Sequence, residues 1–169
     1  MTKADLIETI ANRAELTKRQ ANLVVDAIFD EIESALRKSW SEQLARTYGE
    51  LGEADADTRL RRAEGWLDAH PNSPGLLLTL GRLCIQAHIW GKAREYLERG
   101  LSIEPSAELW EALGECFLGQ GDEQEAARCL RNALRIARGE AVESVSRNAL
   151  DTRASAVEHR SEHGVPRLA

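Results

Sequence analysis

Residues 73–138 repeat themselves at a period of about 33 residues, and this periodicity constrains the fold more than any other feature of the chain. Leu80-Gly81 returns as Leu113-Gly114, Ala93 as Ala126, Leu97 as Leu130 and Gly100 as Ala133. A unit of that length cannot bury its apolar face alone, so it stacks on its neighbours. Gly81 and Gly114 fall mid-helix, where glycine costs about 1 kcal/mol relative to alanine. That cost is tolerable where another helix must pack closely. Ala93 and Ala126, later in each unit, are expected to supply the facing small side chain on the second helix of each pair. The unit is therefore a helix-turn-helix.

Spacing and residues together resemble the tetratricopeptide repeat (TPR) family. Trp110, Leu113, Gly114, Phe117, Ala126, Leu130 and Ala133 stand where that family has Trp, Leu, Gly, Tyr, Ala, Phe and Ala. Leu77, Leu80, Gly81, Cys84, Ala93, Leu97, Gly100 and Pro105 occupy the same places one unit earlier. Arg138 lies near the place of the terminal proline in the last unit. The resemblance implies a scaffold of stacked helix pairs, a fold that serves many unrelated binding functions.

With 43% hydrophobic and 30% charged residues, the 169-residue chain has the composition of a soluble, helix-rich protein. Its net charge of −6 argues against general affinity for nucleic acid, which needs a basic face to displace counterions. No run approaches the roughly 18 apolar residues of a membrane span, and the polar N-terminus does not read as a signal peptide. Cys84, Cys116 and Cys129 all fall on expected core helices. They read as buried thiols of a reducing compartment, so the chain is expected to be cytoplasmic.

Residues 1–38 read as a helical hairpin. Thr2 with Asp5 has the arrangement of a capping box, and Leu6, Ile7, Ile10, Ala11 and Ala14 follow at helical spacing. Glu15-Leu16 makes a tight connection, and Thr17 with Gln20 forms a second capping-box pattern. The second helix carries Ala21, Val24, Val25, Ile28, Phe29, Ile32 and Leu36, an apolar face too wide for a two-helix hairpin to bury alone. Met1-Thr2-Lys3-Ala4-Asp5-Leu6-Ile7, Leu16-Thr17-Lys18-Arg19-Gln20-Ala21 and Val25-Asp26-Ala27-Ile28-Phe29-Asp30-Glu31-Ile32 resemble the start of the bacterial HU/IHF nucleoid proteins. That resemblance implies dimerisation, with Leu6, Ile10, Val24, Val25, Ile28, Phe29, Ile32 and Leu36 as candidate interface. The Gly-Phe strand pair and basic β-arms with which the family grips DNA do not follow Ser39. The hairpin carries six Lys/Arg against seven Asp/Glu, a small electrostatic footprint.

Residues 39–72 read as a degenerate first repeat. Trp40, Leu44 and Tyr48 can form its first helix, 49–57 a longer loop, and 58–69 a second helix burying Leu60, Ala63, Trp66 and Leu67. Two readings of the junction stand side by side: a fresh helix from Ser39, or one helix spanning 18–48. The stretch 40–137 also resembles the C-terminal TPR region of HemY, a bacterial inner-membrane protein linked to haem biosynthesis. Arg61-Arg62-Ala63-Glu64-Gly65-Trp66-Leu67, His70-Pro71-Asn72, Gly75-Leu76-Leu77-Leu78-Thr79-Leu80-Gly81-Arg82-Leu83 and Trp90-Gly91-Lys92-Ala93-Arg94-Glu95-Tyr96-Leu97-Glu98 carry that likeness. An HU-like hairpin joined to HemY-like repeats near Ser39 reads as a fusion.

Past Gly139 the pattern weakens. Val142, Val145, Ala149 and Ala156 allow one more helix over 139–157, covering the open face of the last repeat, with 158–169 as a frayed tail. No catalytic arrangement stands out. His159 and His163 lie one helical turn apart without a third ligand, so no metal or cofactor is expected. His88, beside Trp90, reads as a turn or packing residue, and Gly119-Gln120-Gly121-Asp122 as an inter-helix turn with Asp122 as helix cap. Asp30-Glu31, Glu33 and the acidic stretch 50–57 read as solvated faces.

The fold expected is all-α: a hairpin (1–38), a short TPR superhelix of about three repeats (39–72, 73–105, 106–138) and a weak C-terminal capping helix. Leu78, Arg82, Ile85 and Gln86, with Glu108, Glu111, Glu115 and Leu118 one repeat on, are expected to face the inner groove. A mildly acidic, partly apolar groove favours a basic amphipathic peptide or helix. The expected function is a non-enzymatic protein-interaction scaffold, homodimeric through the hairpin, without a membrane span. An HU-type DNA-binding protein and a HemY-like accessory factor of haem biosynthesis are the alternatives.

Overall fold

The computed structural model describes residues 8–9, 11–15, 17–50 and 56–142, and every regular element among them is an α-helix. We number these α1 (Lys18–Lys38), α2 (Glu42–Glu50), α3 (Ala56–Glu64), α4 (Pro74–Gln86), α5 (Trp90–Ile103), α6 (Ala107–Gly119) and α7 (Glu123–Ala137). Helical residues also precede α1, at 8–9 and 11–13. After α1, α4 pairs with α5 and α6 with α7, while α2 and α3 both pack against α4.

Local chemistry sets the helix ends. The capping box at Thr17 forms: its Oγ1 accepts the Gln20 N–H at 3.3 Å, and Gln20 Oε1 accepts the Thr17 N–H at 3.0 Å. Ser73, Ser106 and Asp122 cap α4, α6 and α7 by accepting the N–H groups of Leu76, Leu109 and Glu125. Helix α1 stops at Ser39, whose extended backbone (φ −152°, ψ 118°) turns the chain out. The reading of one helix over 18–48 is thereby excluded, and Trp40 precedes α2 rather than forming part of it. Helix α3 ends at Glu64, earlier than expected. Trp66 and Leu67 donate to carbonyls three residues back, which tightens the chain into turns, yet both still pack against the core.

Helix α4 sits centrally, against α2, α3, α5 and α6. Every residue from Gly75 to Gly81 is buried, as are Leu83 and Cys84. A Cβ at Gly81 would lie 2.5 Å from Leu97 Cγ and Cδ2, and one at Gly114 would lie 3.2 Å from Leu130. The glycine notches are thus filled by Leu97 and Leu130, not by Ala93 and Ala126 as the sequence suggests. A leucine reaches across the helix pair and fills a notch that a methyl group would leave half empty. The three cysteines are free and buried. Burial pushes the Cys84 and Cys129 thiols up to about 12 and raises Cys116 as well, leaving inert core groups.

Helix α7 stops at its C-cap, Arg138, and residues 139–142 are not helical. The rest of the expected capping helix and the tail lie outside the described residues.

Two alanine substitutions separate helix propensity from packing. Gly81→Ala is expected to lower stability by about 1–2 kcal/mol, because overpacking against the fully buried Leu97 outweighs the propensity gain. Gly91→Ala, with nothing within 4 Å of the new Cβ, is expected to raise stability by about 0.4–1 kcal/mol. Urea denaturation of both variants checks the contrast.

Candidate interaction surfaces

Helix α1 presents two apolar faces with different fates. Ala21, Val25, Phe29 and Leu36 are buried within the chain. The Phe29 ring meets Tyr48 edge-on, 5.7 Å between centroids. Three of the eight expected interface residues, Val25, Phe29 and Leu36, are therefore taken up inside the same chain, and Val25 and Phe29 join the core shared with the repeats. Leu6 and Ile10 lie outside the described residues. Val24 and Ile28 remain exposed and Ile32 half-buried. With Ala27, Ala35 and Leu44 they line an apolar hollow of about 560 Å³, in which Glu31 is the one charged residue among those described. Leu23, farther toward the N-terminus of α1, is 63% exposed.

A polar cluster fastens α1 to the first repeat. Glu33, expected on a solvated face, is only 6% exposed. Its carboxylate accepts from the Tyr48 hydroxyl at 3.0 Å and from Arg62 Nη1 at 2.6 Å. Burial raises the Tyr48 pKa, and the neighbouring Glu33 charge raises it further. The buried Arg59 guanidinium lies 4.8 Å from the Phe29 ring centroid and 5.0 Å from that of Tyr48, and it donates to the Tyr48 carbonyl. Burial lowers its pKa, yet a guanidinium stays charged, so its buried charge rests on these partners.

The repeats enclose a cleft of about 580 Å³ on their inner side. Helix α2 contributes Gly49 and Glu50, and α4 contributes Arg82, Ile85 and Gln86. His88 from the following turn, Trp90 of α5 and Glu115 of α6 complete it. Four of the expected groove residues, Arg82, Ile85, Gln86 and Glu115, thus come together. Leu78 does not. It is 1% exposed, because α4 is flanked by both α2 and α6 and only its last turn and a half reaches the inner surface. Glu108 pairs with Arg46 of α2 at 3.2 Å, and Arg82 pairs with Glu50 at 3.0 Å. Glu111 and Leu118 are exposed on α6.

Residues 1–45 match the family described as bacterial DNA-binding protein, and residues 107–140 match the tetratricopeptide repeat. The chain joins an HU-like N-terminal part to a TPR repeat. Over 44 residues it is 46% identical to the DNA-binding protein HU of Staphylococcus aureus (strain COL) and to the DNA-binding protein HU-1 of Halalkalibacterium halodurans. These matches cover 26% of this chain and 49% of each relative, so the chain spans about half the length of the curated relatives it matches. They bear on the HU-like and TPR readings and not on the HemY likeness. No described helix is long and apolar enough to cross a membrane.

Within the TPR register the cleft holds one irregular position. Helices α4, α6 and α7 all end in the same motif, in which the residue after the C-cap is left-handed and the next N–H reaches back toward the last turn of the helix. Gly121 (φ 80°) and Gly139 (φ 72°) occupy that position after α6 and α7. After α4 it is His88 (φ 58°), with Ile89 N–H donating to Cys84 O at 2.8 Å. The imidazole then lies 5.3 Å from the Trp90 ring at the cleft wall, and the Trp90 indole packs over Gly119 so closely that no Cβ fits there. The alignment of His88 with Gly121, one repeat apart, was available in the sequence and is the signal that marks it as unusual. His88→Gly is expected to raise stability by about 1 kcal/mol, since a left-handed residue with a Cβ costs about 1–2 kcal/mol. Thermal denaturation measures it.

Proposed function

We propose that the protein is a non-enzymatic interaction scaffold, whose repeats bind a protein partner on their inner side and whose copies pair through α1. The observation that carries this is the uncovered apolar hollow of Val24, Ala27, Ile28, Ile32 and Ala35 on a helix whose other face is already buried at home. Apolar surface that no described residue covers favours a like surface, and a two-fold pairing presents the same patch from both copies. Sedimentation equilibrium at micromolar concentration is expected to give a dimer, and Ile28→Glu a monomer of unchanged helicity. A monomeric wild type would overturn the pairing.

HU-type DNA binding is a second reading, favoured by the match over residues 1–45 and by the identity to proteins named DNA-binding protein HU. The net charge of −6 weighs against it. A gel-shift titration with duplex DNA is expected to give no binding tighter than the non-specific range, roughly 10⁻⁴–10⁻⁶ M at physiological salt. Tighter binding, falling steeply with salt, would favour the DNA-binding reading over the scaffold.

A further inference from the structure

We propose that the inner cleft takes a cationic segment of the partner: a peptide carrying lysine or arginine, received by Glu111 and Glu115 and lying along the His88–Trp90 wall. This rests on the scaffold reading and adds the partner's chemistry to it.

Negative charge is left over on the inner side of the repeats. Among the described residues, two cations lie along the inner side, and both are committed, Arg46 to Glu108 and Arg82 to Glu50. Glu108, Glu111 and Glu115 form a stripe at spacings of three and four along α6, so they share a face. Glu108 reaches α2 and Glu115 lines the cleft, which orients the whole stripe inward. Glu111 and Glu115 are exposed and make no hydrogen bond or ion pair with a described residue. Two like charges one turn apart repel each other along the helix, and a bound cation relieves that repulsion. An anionic ligand would find every cation here occupied and two carboxylates opposing it.

The wall fits the same ligand. Aromatic faces attract ammonium and guanidinium groups, and the aliphatic stem of lysine or arginine packs on indole and on Ile85. His88 holds its place in a left-handed conformation that its counterpart in the next repeat assigns to glycine. The fold alone would be better served by glycine, so the imidazole contributes at the cleft.

Calorimetric titration of the full chain with a blocked lysine–alanine peptide tests this, with the glutamate–alanine counterpart as control. The lysine peptide is expected to bind, more weakly as salt rises, and the glutamate peptide not to bind. The double variant Glu111→Gln/Glu115→Gln is expected to weaken binding about five- to tenfold. Glu95→Gln/Glu104→Gln, which removes the same charge on α5 and just after it, is expected to leave binding unchanged. His88→Gly should weaken binding about two- to fivefold while its denaturation midpoint stays at or above the wild type's, a combination that a purely structural histidine would not give. Failure of the lysine peptide to bind, or equal loss in both double variants, overturns the proposal. Equal binding of both peptides also overturns it but leaves a peptide-binding scaffold standing. The pairing of copies is judged separately by sedimentation.

Discussion

The close approach of α2 to α4 is the contact on which the remaining packing depends. Gly49 lies so near Thr79 that a Cβ there would fall 2.8 Å from its Oγ1 and 3.0 Å from its Cα. The Thr79 hydroxyl, fully buried, donates to the Ala45 carbonyl at 2.6 Å. At the other end of the same contact, the Glu42 carboxylate accepts from Ser73 Oγ, the Gly75 N–H and Trp40 Nε1. Partial burial would raise the pKa of Glu42, but these hydrogen bonds and the nearby Arg46 outweigh it and hold the group below its usual value. A carboxylate at the start of α4 also complements the positive end of the helix dipole. Held at its start and at its middle, α4 offers its remaining surface to α3, α5 and α6, and the repeats build outward from it.

The repeat period made much of this legible. Ser73 and Ser106 stand one period apart and cap equivalent helices, and Asp122 caps the last. The buried thiols could also be read, because each falls on the apolar side of a helix. What stayed hidden was where polar residues go. Glu33 and Arg59 look like members of a solvated charged helix, since sequence carries no mark that distinguishes a carboxylate facing water from one facing a tyrosine of the next helix. Leu78 illustrates the complementary failure. Its register suits the groove, but groove and core share that face of α4, and the arrival of α2 decides between them.

The junction explains why the HU-like segment is not an appended module. Breaking a fully buried ion pair by removing one partner costs about 3–5 kcal/mol. The half-exposed Arg62 brings the Glu33 contact below that range. The Tyr48 hydroxyl and the Phe29–Arg59–Tyr48 stack add to it, so α1 is joined to the repeats by apolar, aromatic and ionic contacts together. The wide apolar face of α1 is thereby divided. One part completes the core of the first repeat and a narrower stripe, Val24, Ile28 and Ile32, is left over.

That division ties the two proposed surfaces to each other. The proposed pairing stripe and the inner cleft are linked through α2: α1 is fastened to Tyr48 on α2, and the residues that follow it on α2, Gly49 and Glu50, line the cleft. In a pair of copies joined through α1, each cleft would therefore stand at a fixed distance and angle from its twin. Two cationic segments on one partner, separated to match, gain from an effective concentration set by that geometry without any further contact. A single weak cleft then suffices. On the proposed pairing, the marginal charge pairing of Glu111 and Glu115 would become selective when doubled, and α1 would contribute to recognition while touching no ligand.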